Sequence, residues 1–312
     1  MWNAARPLVV GTRASRLAQT QTAWVVDRLV AAHPGLQVRL APTDTEGDHT
    51  QAANVPLQEL AGRGVFVKDL EAGIIGGRFD AAVHSLKDIT TDLTPGLALV
   101  AIPEREDPRD VLISRDGSRL HALPVGATVG TSSPRRAAQL AACRRDLRFV
   151  AIRGNVDTRL RKLDAGDFDA IVLAAAGLSR LGLSHRVTDY LDPEVCMPDP
   201  GQAALAVEAA ADNAALAALF AALDDPATNT AVTAERAMLH ALGGGCQLPV
   251  GALGRVDGAT LTLRGVVCSP DGALVLRDSV IGTAAEPAAA GRALAEHLLA
   301  KGARRLLEPV RG

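Results

Sequence analysis

The feature that most constrains the fold is a pattern of short apolar runs and amphipathic helices that occurs twice along the chain. Residues 8–12 (LVVGT) and 37–42 (QVRLAP) are typical of strands, and a helix is predicted between them over 15–33. A second helix (67–77) and a further strand (79–86) follow. Because strands that alternate with helices form βαβ units, this stretch predicts an α/β domain with a largely parallel sheet.

The same arrangement returns in the second hundred residues. Residues 127–143 (ATVGTSSPRRAAQLAAC) repeat the strand, Gly-Thr and helix order of VVGTRASRLAQ, and FDAIVLAAAG (168–177) is similar to FDAAVHSLKD (79–88). We interpret this internal repeat as two similar α/β domains. The alternative is a chance likeness between two short alanine-rich segments.

The pattern changes after residue 225. A helix is predicted over 226–245, followed by three strand-like runs with hairpin turns at VDGA and SPDG. A last helix covers about 286–309. These elements predict a smaller α+β domain at the end of the chain.

Composition excludes several classes of function. The net charge of −2 argues against a general polyanion binder, and 3% aromatic residues argue against a stacking surface for single-stranded nucleic acid. We found neither a signal-peptide pattern nor an apolar run near the ~20 residues of a membrane span. The four cysteines are far apart, with no CxxC pair. We therefore expect a cytoplasmic chain with free thiols, no metal, no nucleic acid partner and no membrane partner.

Two predicted helix starts combine a capping hydroxyl with arginines. Ser15 follows Arg13 in GTRASRLAQ, and Ser133 precedes Arg135 and Arg136 in GTSSPRRAAQ. Helix N–H groups beside guanidinium groups can bind a carboxylate or a phosphate. The alternative is solvated surface arginines, but cations in a first turn oppose the helix dipole.

More arginines follow at predicted strand-to-helix junctions. Arg153 precedes the turn at Gly154, Arg159 lies in the helix after it, and Arg180 lies in AAAGLSRLG. Since acidic residues balance the total charge, converging arginines would suit a small polyanion. Arginine in place of lysine favours bidentate pairing with carboxylates.

The segment HSLKD (84–88) ends a predicted strand with several reactive side chains. Ligands of open parallel sheets bind beyond the carboxyl ends of the strands, so Asp88 is well placed as an acid, a base or a stabiliser of a cation. A surface pair between Asp88 and Lys87 is the alternative.

Cys246 lies in the loop ALGGGCQLPVGALG, among three glycines and a proline. His240 is six residues earlier, a spacing that does not suggest a Cys–His couple. A helix C-terminus just upstream disfavours a thiolate. The loop therefore suits a single covalent attachment better than repeated nucleophilic turnover. The sequence also lacks GxxxxGK[ST], GxGxxG, HExxH and GxSxG.

Taken together, the segments resemble one family. The chain contains in order GTRASRLAQTQ, GRGVFVKDLE, FDAAVHSLKDI, EREDPRDVLIS, GTSSPRRAAQL, IRGNVDTRLRKL, AAAGLSRLGL, PDPGQAALAVE and GGGCQLPVGA. This set is similar to that of the porphobilinogen deaminase (hydroxymethylbilane synthase) family, from about residue 8 to the end.

The resemblance implies a transferase that deaminates four porphobilinogen molecules and joins them head to tail, releasing 1-hydroxymethylbilane. It implies a dipyrromethane cofactor, one per chain, bound by thioether to Cys246, and a monomeric enzyme. It implies catalytic roles for Asp88 and Lys87. It implies cofactor contacts from Ser85, Lys87, Asp88, Thr131, Ser133, Arg135, Arg136, Arg153 and Gly154, and substrate contacts from Arg13, Ser15, Arg153, Arg159 and Arg180.

The resemblance also implies a fold of two periplasmic-binding-protein-like α/β domains and a third domain with the cofactor cysteine. The expected boundaries are 1–103 with 204–223, 104–203, and 224–312. One departure lies in the loop 44–64, where Glu59 and Arg63 replace lysines of some family members.

Three rival interpretations use the same features. A solute-binding protein would share the two α/β halves and the arginines, but would need neither the third domain nor Cys246. A cysteine hydrolase would need a base beside Cys246. A regulatory domain that binds a dicarboxylate is the third.

Overall fold

The computed structural model describes residues 6–45, 67–244 and 248–307. The chain divides into two compact units, Met1–Glu106 with Ala203–Asn229, and Asp107–Gln202 with Thr230–Gly312. The second unit contains two separate sheets. The expected division into three domains stays a prediction.

Thirteen strands and nine α-helices form the described part of the chain. The strands are β1 (Leu8–Arg13), β2 (Val38–Thr43), β3 (Ala81–Ser85), β4 (Leu97–Ala101), β5 (Asp110–Ser114), β6 (Thr128–Gly130), β7 (Arg148–Val150), β8 (Ala170–Ala174), β9 (Asp189–Tyr190), β10 (Leu205–Ala210), β11 (Val250–Asp257), β12 (Thr260–Cys268) and β13 (Val275–Thr283). The helices are α1 (Arg16–Ala32), α2 (Lys68–Ile75), α3 (Pro134–Cys143), α4 (Val156–Asp164), α5 (Ala175–Arg180), α6 (Ala214–Phe220), α7 (Pro226–Ala241), α8 (Pro287–Ala300) and α9 (Ala303–Leu307). No helix of the described ranges is long and apolar enough to cross a bilayer.

The first unit is built on a five-stranded sheet in the order β2-β1-β3-β10-β4. β1 runs parallel to β2 and β3, whereas β10 runs antiparallel to both β3 and β4. Helix α1 buries Val25 and Leu29 against Leu8 and Val10 of β1. Helix α2 packs with Leu70 in a second cluster that contains Ala82. Both faces of the sheet are therefore covered, as apolar strands require.

The second unit repeats this plan in its first sheet, whose order is β7-β6-β8-β5-β9. β6 runs parallel to β7 and β8, and β5 runs antiparallel to β8 and β9. Strand order and direction match those of the first unit strand for strand. The predicted internal repeat is therefore confirmed as two similar α/β sheets. The antiparallel strands β5 and β10 were not predicted.

The second unit also contains the antiparallel sheet β11-β12-β13. Helices α7 and α8 cover it, with Met238 and Leu294 packed on Leu261 and Leu263. The hairpin turns occur at the expected places. The last helix, predicted as continuous, is interrupted between α8 and α9, where Gly302 has a φ of 97°. Glycine reaches this left-handed conformation at little cost and ends the helix there.

The Phe79 ring requires a glycine on β1. A Cβ atom at Gly11 would lie 2.7 Å from Cδ2 of Phe79, and one at Gly73 of α2 would also meet the ring. We predict that Gly11→Ala lowers the unfolding free energy by about 1–3 kcal/mol through overpacking. Phe79→Leu in the same chain should recover part of this loss. Urea denaturation checks both, and equal stability of Gly11→Ala and wild type would contradict the packing argument.

Candidate functional site

The carboxyl ends of β1 and β3 meet at one edge of the first unit's sheet because the two strands are parallel neighbours. A recess at this edge brings together Arg13, Ser85 and Asp88, three of the predicted site residues. Asp88 ends a single 3₁₀ turn, Leu86–Asp88, that follows β3 directly. Leu86 N–H donates to Ala204 O at 3.0 Å, which holds the start of the turn.

Gln21 supports this recess and was missed by the sequence analysis. It lies on the buried face of α1, is 5% exposed and also lines the recess. Its Nε2 donates to Ser85 Oγ at 3.3 Å. A polar residue on the apolar face of an amphipathic helix was the available signal. Ser15 caps the same helix, accepting from Ala18 N–H as predicted.

The second unit contains the other predicted residues, at the starts of α3 and α4. Ser133 accepts from Arg136 N–H and caps α3, and Thr131 Oγ1 accepts from Ser133 N–H at 3.2 Å. Gly154 precedes α4 with a φ of 115°, and a Cβ atom there would lie 2.6 Å from Thr158 Cγ2. This turn therefore requires glycine.

Arg135 and Arg136 share one buried carboxylate, Asp110, which the sequence analysis did not single out. Arg135 Nη1 donates to Asp110 Oδ2 at 2.6 Å, and Arg136 Nη2 donates to Oδ1 at 2.7 Å. Gln202 Nε2 also donates to Oδ1, and Arg135 Nη1 to Met197 O. Burial raises the pKa of Asp110, but the charges and hydrogen bonds of both arginines outweigh it and hold this pKa well below its ordinary value.

This geometry places the Arg135 side chain in the buried interior of the second unit. Its side chain is 2% exposed, and its Nε and Nη2 atoms are buried without a hydrogen-bond partner. Arg135 therefore pairs with Asp110 and keeps two donor atoms unsatisfied, and its expected cofactor contact stays a prediction.

Arg153 and Arg159 are two neighbouring arginines whose pKa values are lowered rather than raised by their surroundings. Burial, then the charges of Arg136 and Arg153, lower the pKa of Arg159 to about 10. Burial also lowers the pKa of Arg153, whose Nε and Nη2 are buried without a partner. Asp110 supplies one negative charge and already serves two arginines. An anionic ligand would offset the remaining charge and satisfy the unpaired donors.

The remaining predicted residues are placed as follows. Lys87 lies in the Leu86–Asp88 turn, and Arg180 is the last residue of α5. Cys246, Glu59 and Arg63 lie outside the described residues. No group of three or more His, Cys, Asp or Glu in residues 6–45, 67–244 and 248–307 could hold a metal ion.

Removal of the buried carboxylate should be costly. We predict that Asp110→Asn lowers the unfolding free energy by about 3–5 kcal/mol, because it leaves two buried guanidinium groups without their anion. The matched control is Asp107→Asn, which breaks a half-exposed pair with Arg109 and should cost no more than about 1 kcal/mol. Equal losses in urea denaturation would contradict the assignment.

The same pair predicts a pH dependence. Because folding lowers the pKa of Asp110, its stabilisation is present above the ordinary carboxyl pKa of about 4 and is lost as the pH falls below it. Wild type should therefore lose more stability than Asp110→Asn as the pH falls from about 5 to 3. Parallel stability curves would contradict this expectation.

Comparison with known proteins covers nearly the whole chain. Residues 8–218 match the family described as "Porphobilinogen deaminase, dipyromethane cofactor binding domain", and residues 229–300 match "Porphobilinogen deaminase, C-terminal domain". The porphobilinogen deaminase of Roseiflexus sp. (strain RS-1) is 50% identical over 300 residues, 96% of this chain and 98% of that protein. That of Acidothermus cellulolyticus is 50% identical over 305 residues, 96% of this chain and 91% of that protein.

Solved structures of low sequence identity were also found. The VFT2 domain of Bordetella pertussis BvgS has a TM-score of 0.41 at 16% identity, covering 70% of this chain and 85% of that chain. An arginine-specific periplasmic binding protein of Salmonella typhimurium has a TM-score of 0.39 at 17% identity, covering 70% of this chain and 92% of that one. The fold class rests on the sheets themselves, and the family on the sequence matches along the chain. The chain belongs to the porphobilinogen deaminase family.

Proposed function

We propose that this chain is a hydroxymethylbilane synthase, which joins four porphobilinogen molecules head to tail with loss of ammonia and releases 1-hydroxymethylbilane. Family membership along nearly the whole chain supports this activity. The observation that carries it at the site is the uncompensated charge of Arg153 and Arg159. Each pyrrole ring of the substrate brings an acetate and a propionate, so this site needs cations that bind carboxylates.

The arginines differ in the number of donor atoms that they can offer to a ligand. Arg153 offers two buried donor atoms without a partner, and Arg159 is held by donation of its Nε to Gly154 O at 2.7 Å. Both suit bidentate contacts with carboxylates. The full set of proposed ligand contacts is Arg13, Ser15, Ser85, Lys87, Asp88, Thr131, Ser133, Arg135, Arg136, Arg153, Gly154, Arg159 and Arg180. Arg135 and Arg136 also share the Asp110 carboxylate, which fixes both side chains at the start of α3.

We assign the covalent attachment of dipyrromethane to Cys246. Burial raises the pKa of Cys268 to about 11, and burial and the Asp110 carboxylate raise that of Cys196 further above its ordinary value. Both are therefore poor nucleophiles. When bound, this cofactor supplies the primer from which the product grows, one primer per chain.

Asp88 is assigned the charge stabilisation of the reaction. Departure of ammonia from the aminomethyl group leaves positive charge on the pyrrole and its methylene carbon. A half-buried carboxylate at the carboxyl end of β3 can accept the pyrrole N–H and stabilise that charge. Arg13, in the same recess, can hold a substrate carboxylate, and Lys87 in the same turn is assigned a supporting catalytic role.

A cytoplasmic location and a monomeric state are further parts of the proposal. The three cysteines in the described ranges, Cys143, Cys196 and Cys268, are unpaired, which suits a reducing compartment.

Mass spectrometry tests the attachment. We predict that the intact protein exceeds its sequence mass by one dipyrromethane and that Cys246→Ala removes the excess. Cys143→Ala is the control, since Cys143 is the exposed thiol among the described cysteines. Its mass excess should remain. An active enzyme without added mass would overturn the cofactor assignment.

Asp88→Asn tests the catalytic assignment. Because the amide keeps the shape of the side chain and loses its charge, we expect the folded protein to retain the cofactor mass. Porphobilinogen consumption should fall at least ~100-fold, the loss typical of a deleted electrostatic stabiliser. Turnover near the wild-type rate would remove Asp88 from this role.

A further inference from the structure

A buried pair of ionisable side chains lies beside the recess that contains Asp88. His84 Nε2 is 3.2 Å from Glu208 Oε2, and the two side chains are 3% and 0% exposed. His84 precedes Ser85 on β3, and Glu208 lies on the neighbouring antiparallel strand β10. The binding and charge-stabilising roles assigned above use neither residue.

The stability of the sheet does not require a charged pair at this place. His84 Nε2 and both oxygens of Glu208 are buried without a well-aligned hydrogen bond. Desolvation of two charges opposes their attraction, and well-packed apolar side chains are often at least as stabilising in such places. The pair therefore calls for a role that depends on its charge.

A further carboxyl group, Glu71, interacts with both members of the pair. Glu71 of α2 accepts a hydrogen bond from Thr94 Oγ1 at 2.9 Å. Burial raises the pKa of Glu71, and the Glu208 charge adds to this rise, while the Thr94 hydrogen bond and the charges of His84 and Lys68 oppose it. Glu71 therefore holds its proton to a higher pH than an ordinary carboxyl group. Glu208 is the carboxyl group that lies opposite His84 Nε2.

His84 also lines the recess that contains Asp88 and Arg13. The cavity volume is about 20 Å³, and one water needs ~10–15 Å³ of such volume. Since Nε2 faces Glu208, Nδ1 is the ring nitrogen that this carboxyl group does not engage. The charged groups of the recess are Asp88 and Arg13, and the imidazole also interacts with Glu208 and Glu71, which Lys68 in turn influences.

We propose that His84, held by Glu208, receives the proton that each ring addition releases at Asp88. The proposal rests on the role assigned to Asp88. His84 acts through Asp88 and does not touch the substrate. It is therefore a positioning residue, which acts on the reaction only through the proton held by Asp88, and not a catalytic residue.

The proton balance of one addition closes as follows. The C–N bond of one porphobilinogen breaks, and its electron pair leaves on ammonia. One C–C bond forms, and the pyrrole carbon that is joined gives up one proton. Asp88 takes this proton and passes it through one water to neutral Nδ1 of His84, where the Glu208 carboxylate stabilises the imidazolium. The proton then leaves with ammonia as ammonium, which restores the neutral imidazole.

The test compares His84→Gln with wild type, both as cofactor-loaded enzyme verified by mass. Glutamine keeps an N–H donor toward Glu208 and loses the titratable ring. We expect kcat to fall about 10- to 100-fold with KM changed less than ~2-fold. The acidic limb of the kcat–pH profile, where protonated His84 cannot accept a proton, should disappear.

His33→Gln is the matched control, because His33 is a histidine of the same unit whose Nε2 is 2.8 Å from a backbone carbonyl, Leu219 O. It should leave kcat and the pH profile unchanged. Wild-type kcat or a retained acidic limb in His84→Gln would overturn the proposal. Failure of wild type to consume porphobilinogen would instead overturn the proposed function.

Glu208→Gln gives a second, independent reading if His84→Gln does not fold. Loss of the carboxylate destabilises the imidazolium, so the acidic limb should move to lower pH. ¹⁵N NMR of the histidine rings reads the same protonation without turnover. An acidic limb and a His84 titration unchanged by Glu208→Gln would overturn the proposal. If neither variant folds, the wild-type protein provides the test by ¹⁵N NMR. A His84 ring that does not titrate between pH 5 and 9 would overturn the proposal.

Discussion

The arginine site of the second unit depends on one buried carboxylate. Asp110, at the start of β5, binds Arg135 and Arg136 of α3 as well as Gln202, near the end of the same unit's chain segment. One negative charge thus serves two guanidinium groups in a dry interior. No carboxylate of the described residues is paired with Arg153 or Arg159. The proposed binding of ligand carboxylates at these two arginines follows from this lack of internal partners.

The sequence was sufficient to predict the repeated α/β pattern, because the period of apolar residues distinguishes strands from helices. Neither β5 nor β10 was predicted, and periodicity does not encode the antiparallel direction in which they run. The last helix was predicted as continuous because Gly302 alone is a weak break signal, and only its left-handed conformation shows the interruption.

The candidate site shows a similar limit. The meeting of Arg13, Ser85 and Asp88 could be predicted, because parallel neighbouring strands end at one edge of a sheet. Capping by Ser15 and Ser133 was also predicted. The ion pair between Arg135 and Asp110 was not, because Asp110 is distant in sequence and lies in a strand with no distinguishing motif. The contact between His84 and Glu208 depends on β10, which joins the sheet from a remote part of the chain.

The position of β10 in the first sheet has a consequence for folding during translation. β10 lies between β3 and β4, yet the ribosome makes it about one hundred residues after β4. At typical rates of translation, this interval is on the order of ten seconds. During that time β3 and β4 have no strand between them, whereas every strand of the second unit's first sheet has already been made. The nascent chain can therefore complete the first sheet of the second unit before the sheet of the first unit. Until β10 is made, the unpaired edge of β3 is the segment that most needs protection from premature association.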